Sequence, residues 1–138
     1  MNEVIFSSNR TFQLFRYNSS MCQLVYRSFK DADHPLNIDI VFTNILYVQA
    51  APVFNGLSIR PTDCSFTAYE QVRRIPQGTQ NWSAVEITSA GSRHFVVASW
   101  ITVQENNLNV KLPAQFNGDL QQGNVLVDCH LKKVHSRN

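Results

Sequence analysis

The chain has 138 residues, a formal net charge of +2, 43 % apolar residues and only 16 % charged ones. That length suffices for one domain with its own core, and the apolar share excludes a disordered chain. Basic residues are no denser than the pairs Arg73–Arg74 and Lys132–Lys133, which argues against nucleic acid, a partner that needs a concentrated positive footprint.

The opening MNEVIFSSNRTF has no apolar run long enough for a secretory signal. The longest apolar window, HFVVASWITV, is half of the roughly 20 residues that a spanning helix needs. A soluble cytoplasmic protein without a membrane partner is expected. The three cysteines, Cys22, Cys64 and Cys129, are odd in number and widely spaced. They suit neither a disulfide framework nor a zinc site, so reduced and mostly buried thiols are expected.

Along the chain the dominant period is two. VIFSSNRTFQLFRY reads as a short strand, a polar turn and a second strand, and MCQLVYRSF (21–29) as another. NIDIVFTNILYVQ (37–49) is the clearest strand. Ile38, Ile40, Phe42, Leu46 and Val48 share one face, while Val41, Ile45 and Tyr47 populate the other, with Asp39 and Thr43 among them. Two partly apolar faces predict a central strand covered on both sides. Pro52 and Asn55-Gly56 then read as loop. PTDCSFTAYEQVRRIP (61–76) fits one short helix, with Phe66, Tyr69, Val72 and Arg73 at spacings of three and four, yet its β-branched and aromatic content also fits an extended segment.

WSAVEIT (82–88) adds a strand, and RHFVVASWITVQ (93–104) a long one, with Phe95, Val97, Ile101 and Val103 alternating against His94, Val96, Ala98, Trp100 and Thr102. Asn106-Asn107 suits a hairpin tip, after which Leu108, Val110 and Leu112 restart the alternation. Ala90-Gly91, Asn117-Gly118 and Gln122-Gly123 mark further turns, and no internal repeat occurs. The chain therefore reads as a single β-rich domain, residues 1–138: an antiparallel sandwich or strongly curled sheet with at most one short helix.

The last strand, VLVDCHLKKV, contains the most suggestive chemistry. A nucleophilic cysteine needs its histidine within hydrogen-bonding reach. Alternation instead puts Cys129 with Val125, Val127 and Leu131, and Asp128 and His130 on the opposite face with Leu126 and Lys132, the aspartate and histidine about 7 Å apart as i and i+2 neighbours. The DADHP loop brings His34 near Asp31 and Asp33, but no HxH, HExxH or CxxC spacing supports a metal site. Phosphate loops and a G-x-S-x-G elbow are also missing, so no cofactor is expected. The scattered acids select no catalytic pair. Phe12, Phe15 and Tyr17 around Arg16 have the residue types of a base-stacking platform, though core packing explains most of the aromatics.

Small size, low charge and the lack of chemical motifs resemble small bacterial proteins that bind and neutralise a toxin, and LNIDIVFTNILYVQ is similar to sheet strands of such immunity proteins. The leading expectation is a non-enzymatic protein-binding domain that masks its partner sterically. Its contacts are expected at Tyr47, Arg73, Arg74, Trp82, Trp100 and Glu105, aromatics and charges at turns or on less apolar faces. Exposed strand edges would also let two copies pair. The alternatives are a small enzyme or ligand-binding barrel using His94, Asp128 and His130, and a weak single-strand nucleic-acid binder.

Overall fold

A computed structural model of the chain describes residues 3–62, 82–108 and 123–131. Its regular elements are nine strands: β1 (Phe6–Asn18), β2 (Gln23–Ser28), β3 (Asn37–Thr43), β4 (Tyr47–Gln49), β5 (Val53–Thr62), β6 (Ser83–Ser89), β7 (Ser92–Ala98), β8 (Trp100–Asn106) and β9 (Gly123–His130). They form one antiparallel sheet in the order β4-β7-β6-β5-β1-β2-β3-β8-β9. The expected mainly-β antiparallel class is observed. The helix-or-extended segment lies outside the described residues, except Pro61 and Thr62, which end β5. No helix among the described residues is long and apolar enough to cross a membrane.

One core gathers residues from seven strands. Phe12, Tyr26, Ile40, Phe42, Phe54, Ile59, Val85, Val96, Ile101 and Val103 belong to a single buried cluster, closed by Leu131. Their alternation explains β3, whose two faces are both buried between β2 and β8. That strand is central, as its pattern predicts.

Two long strands of the sequence are each broken once, and the breaks face each other. The 37–49 run divides at Asn44, which sits at φ 59° in the left-handed region, a conformation that asparagine tolerates better than most residues. The 93–104 run divides at Ser99. Across the break Ser99 N–H donates to Thr43 O at 3.1 Å, Leu46 N–H to Val97 O at 2.8 Å, and Asn44 Nδ2 to Ser99 Oγ at 2.7 Å. Pairing thus continues through the bend, but the side-chain parity switches. Val96 and Ala98 before the break face the same core as Ile101 and Val103 after it. Likewise Ile45 joins that core, while Leu46 and Tyr47 pack with Ala84 and Val97 in a second, smaller cluster. This corrects the face assignment that uninterrupted alternation implies.

Other strands depart from the expected pattern for local reasons. VIFSSNRTFQLFRY is one strand, because the polar SSNR segment forms a bulge between Ser8 and Thr11, with Arg10 N–H on Ser8 Oγ at 3.1 Å. A second irregularity falls between Leu14 and Arg16. Pro52 precedes β5, but Asn55-Gly56, expected as loop, lies within it: Gly56 takes φ 77° beside the β1 bulge, and Pro61 lies past Ile59, where pairing with β1 has ended. Proline is tolerated there because no ladder bond to β1 needs its missing N–H. Ala90-Gly91 makes the two-residue turn of the β6–β7 hairpin. β8 is flanked by β3 and β9; the second strand of the hairpin expected with its tip at Asn106-Asn107 lies, past Leu108, outside the described residues.

On the face of β2, β3 and β8 turned from the core lies a buried polar network. Arg27 and Asp39 stand opposite each other in the ladder, and both are 0 % exposed. Arg27 Nε and Nη2 donate to Asp39 Oδ1 and Oδ2 at 2.6 and 2.8 Å, and the Phe15 ring covers the guanidinium at 4.1 Å. Asn106 Nδ2 adds a bond to Asp39 Oδ2 at 2.9 Å, and Asn37 Nδ2 donates to Asn106 Oδ1 at 3.0 Å. Asn37 Oδ1 in turn accepts Lys30 N–H at 2.8 Å. A bidentate pair inside low dielectric is strong only while complete, because removal of one partner strands the other charge. Asp39→Ala is expected to lower stability by about 3–5 kcal/mol in urea unfolding. Combining Arg27→Met with Asp39→Leu should recover most of that loss. A loss under about 1 kcal/mol, the range of surface pairs, would refute the assignment.

Candidate functional site

The same outer face carries the candidate site, one and two rungs along the ladder from the ion pair. Cross-strand register makes the rows explicit. Arg27, Asp39, Gln104 and Val125 form one rung. Val25, Val41, Thr102 and Asp128 form the next, and Gln23, Thr43, Trp100 and His130 the third. Directly opposed residues share a face, so Trp100, Asp128 and His130 come together from the sheet register alone.

A bulge in β9 completes the arrangement. Register shifts between Val103 and Gln104, so that Val103 pairs with Val127 but Gln104 with Val125, leaving Leu126 unmatched. Val127 and Cys129 pack against the core, whereas Val125 moves to the face of Asp128 and His130. This corrects the simple alternation, which groups Val125 with Cys129. Val125 and Leu126 are 46 % and 45 % exposed, and Trp100 is 37 % exposed, enough for all three to meet a second molecule.

Trp100 is held on two sides. Its indole Nε1–H donates to Asp128 Oδ1, and its ring meets the His130 ring edge-on, with centroids 4.9 Å apart at 78°. Such T-shaped contacts suit the aromatic quadrupole. His130 Nδ1 is buried and has no hydrogen-bond partner among the described residues. Beside the indole is an open cleft of about 420 Å³. Gln23, Thr43 and Thr102 contribute its sheet floor, Asn44 and Ser99 the bend, and Trp100, Val125 and Asp128 the side toward β9.

The other predicted contacts scatter. Tyr47 and Trp82 are half-buried and pack in the smaller cluster with Ala84 and Val97. Glu105 is half-buried on β8 between Ile38 and Asn124. Arg73 and Arg74 lie outside the described residues. Phe12 is in the core, and Phe15 packs on Phe29 and Arg27, so of the stretch Phe12–Tyr17 the exposed aromatic is Tyr17.

Nor does the fold unite the three residues of the ligand-site alternative. Asp128 and His130 are on β9 and His94 on β7, with six strands between β7 and β9 in the sheet order. His94 instead faces the core, its ring against Phe54 at 4.9 Å and its Nδ1 accepting Ala51 N–H at 3.2 Å. Cys22 and Cys129 are half-buried thiols, and Cys129 is separated from His130 by the plane of the sheet.

A second concavity, about 350 Å³, lies near the β1 bulge. There Arg10 donates to the carbonyls of Ser28, Phe29 and Leu36 at 3.2, 3.3 and 2.9 Å and to Ser28 Oγ at 2.9 Å, which ties β1 to the β2–β3 connection. His34 Nδ1 contacts Asp31 Oδ1 at 3.0 Å. This hydrogen bond holds the exposed Asp31 carboxyl below its ordinary range. Among the described residues no three His, Cys, Asp or Glu side chains cluster to hold a metal ion.

No protein-family model, curated protein or solved structure matches this chain.

Burial pushes the His94 pKa below 6.5. The folded state therefore favours neutral His94, and the unfolded chain takes up its proton first as pH falls. Stability from this group is complete above about pH 6.5 and declines as pH drops through that value toward the lowered folded pKa. His94→Gln, whose Oε1 can still accept from Ala51, should show a smaller loss of urea midpoint between about pH 7.5 and 5.5 than the parent chain. Parallel losses would overturn the assignment.

Proposed function

We propose that this chain is a non-enzymatic protein-binding domain that masks a partner sterically, with Trp100 at the centre of its contact surface. The observation that carries this reading is the exposed indole of Trp100, flanked by exposed Val125 and Leu126 and fixed by Asp128 and His130. Aromatic anchors of this kind dominate interface energetics, because they offer large contact area with little rotamer entropy to lose. Tethering the ring in the free protein lowers the ordering cost further. Support for a non-catalytic role comes from Cys129, which packs inward while Asp128 and His130 face outward.

In this reading the sheet is strongly curled. The bent pairs β3–β4 and β7–β8 belong to opposite halves of the strand order yet hydrogen-bond across Asn44 and Ser99, and one core receives side chains from both halves. A curled, rigid sheet presents Trp100 on a convex wall that covers a partner's site without rearranging.

The test is site-specific photocrosslinking in the source cells from a benzoylphenylalanine at Leu126, with the products identified by mass spectrometry. A discrete heterologous product is expected, and Trp100→Ala should weaken the captured complex by about 2 kcal/mol or more, roughly 30-fold. Absence of any product, or a product indifferent to Trp100→Ala, would overturn the reading. A product made only of two copies of this chain would replace it with self-association.

A further inference from the structure

We propose that the cleft beside Trp100 receives a cationic side chain, a guanidinium or ammonium group, presented by the protein partner; the proposal rests on the protein-binding reading above. Charge complementarity selects this occupant. Asp128 is the one charged side chain among the described residues that line the cleft. In a chain of net charge +2, this groove is therefore locally negative, and an anion entering it meets an exposed carboxylate.

The detailed chemistry points the same way. Asp128 Oδ1 accepts the Trp100 indole N–H, while Oδ2 has no hydrogen bond among the described residues and remains able to pair with a donor. The indole N–H, already bound to a carboxylate, offers nothing to an incoming acceptor. What Trp100 offers is its ring, the aromatic surface that best attracts a cation. Asn44 adds an acceptor: its Nδ2 donates to Ser99 Oγ at 2.7 Å, and its Oδ1 can accept from a ligand. Thr43 and Thr102 add hydroxyls able to accept further N–H bonds. The site thus sets one carboxylate among neutral groups, Gln23, Thr43, Asn44, Ser99 and Thr102, each of which can accept as well as donate. A single negative charge among groups that can all accept fits a ligand group that is cationic and made of donors alone, as guanidinium and ammonium are. A volume of about 420 Å³ accommodates such a head with part of its aliphatic stem.

The experiment follows the indole ¹⁵N–¹H resonance of Trp100 in the full chain, assigned against Trp82 with Trp82→Phe. The chain is titrated with N-acetyl-arginine amide, N-acetyl-lysine amide and N-acetyl-citrulline amide, the last nearly isosteric with arginine but uncharged. The expected result is a saturable shift with arginine or lysine, at least tenfold weaker with citrulline, and at least tenfold weaker in Asp128→Asn. That variant retains an oxygen for the indole N–H, and an unchanged resonance pattern elsewhere verifies its fold. An equal response to citrulline, or no response to any probe, would overturn the cation assignment. If crosslinking from Leu126 persists while the arginine response is missing, the cation inference fails and the protein-binding reading stands. A charge-dependent response with no crosslinked partner leaves the cleft's preference intact and removes the protein-binding reading.

Discussion

The paired charges of Arg27 and Asp39 set the frame in which the rest of the outer face is read. Both are fully buried, and they occupy opposed positions on β2 and β3. Two charges out of water are tolerated only with good geometry and additional hydrogen bonds. Here the fork is bidentate, Asn106 adds a donor to the carboxylate, and Phe15 covers the guanidinium. A slip of one residue between β2 and β3 would turn Arg27 toward the apolar core and leave Asp39 alone. The pair therefore specifies a single register, and Asn37 with Asn106 extends that specification to β8. Trp100 reaches its position two rungs away as a consequence, because its place opposite Thr43 and His130 belongs to the same ladder.

A second constraint acts at the joined bends of Asn44 and Ser99. Strict alternation would send the apolar residues of β7 and β8 to opposite faces. A left-handed residue on one strand and a matching break on the other shift the parity of both strands together, and the interstrand hydrogen bonds survive. The gain is one core supplied by nearly the whole sheet. The bulge at Leu126 does similar work near the sheet's end. It turns Val125 outward beside Asp128 and exposes Leu126 itself.

These two devices together bear on the proposed activity. An anchor residue is effective when its own fold restrains it, and Trp100 is restrained by a carboxylate on one side and a ring edge on the other. Asp128 then has two duties, orienting the indole and setting the sign of the cleft. A recognition surface of this type needs no loop rearrangement, since its floor is sheet and its polar groups are placed by register.

Much of the fold was legible in the amino-acid order. Period-two alternation located β2, β3, β6, β8 and β9, the double-faced burial of β3, and the separation of Cys129 from His130 across the sheet. These follow from local geometry, since successive side chains must point to opposite faces. Alternation failed at Asn44, Ser99 and Leu126, where one residue out of phase reverses every assignment beyond it. Turn residues misled as well: Asn55-Gly56 reads as loop until the β1 bulge accommodates it inside β5, and Pro61 reads as the start of a separate segment although it extends β5 where pairing with β1 has ended. Of the expected contact residues, Trp100 emerged exposed, while Tyr47, Trp82 and Glu105 are partly covered; nothing local to a residue reveals what packs over it. Asp39 was placed on the less apolar face by sequence, but its partner Arg27, twelve positions earlier, was not. The sequence by itself determined which residues alternate and which chemical groups the chain possesses. Only the tertiary structure decided which of them meet, because Trp100, Asp128 and His130, like Arg27 and Asp39, are neighbours through strand register, a long-range property that no single stretch of chain encodes.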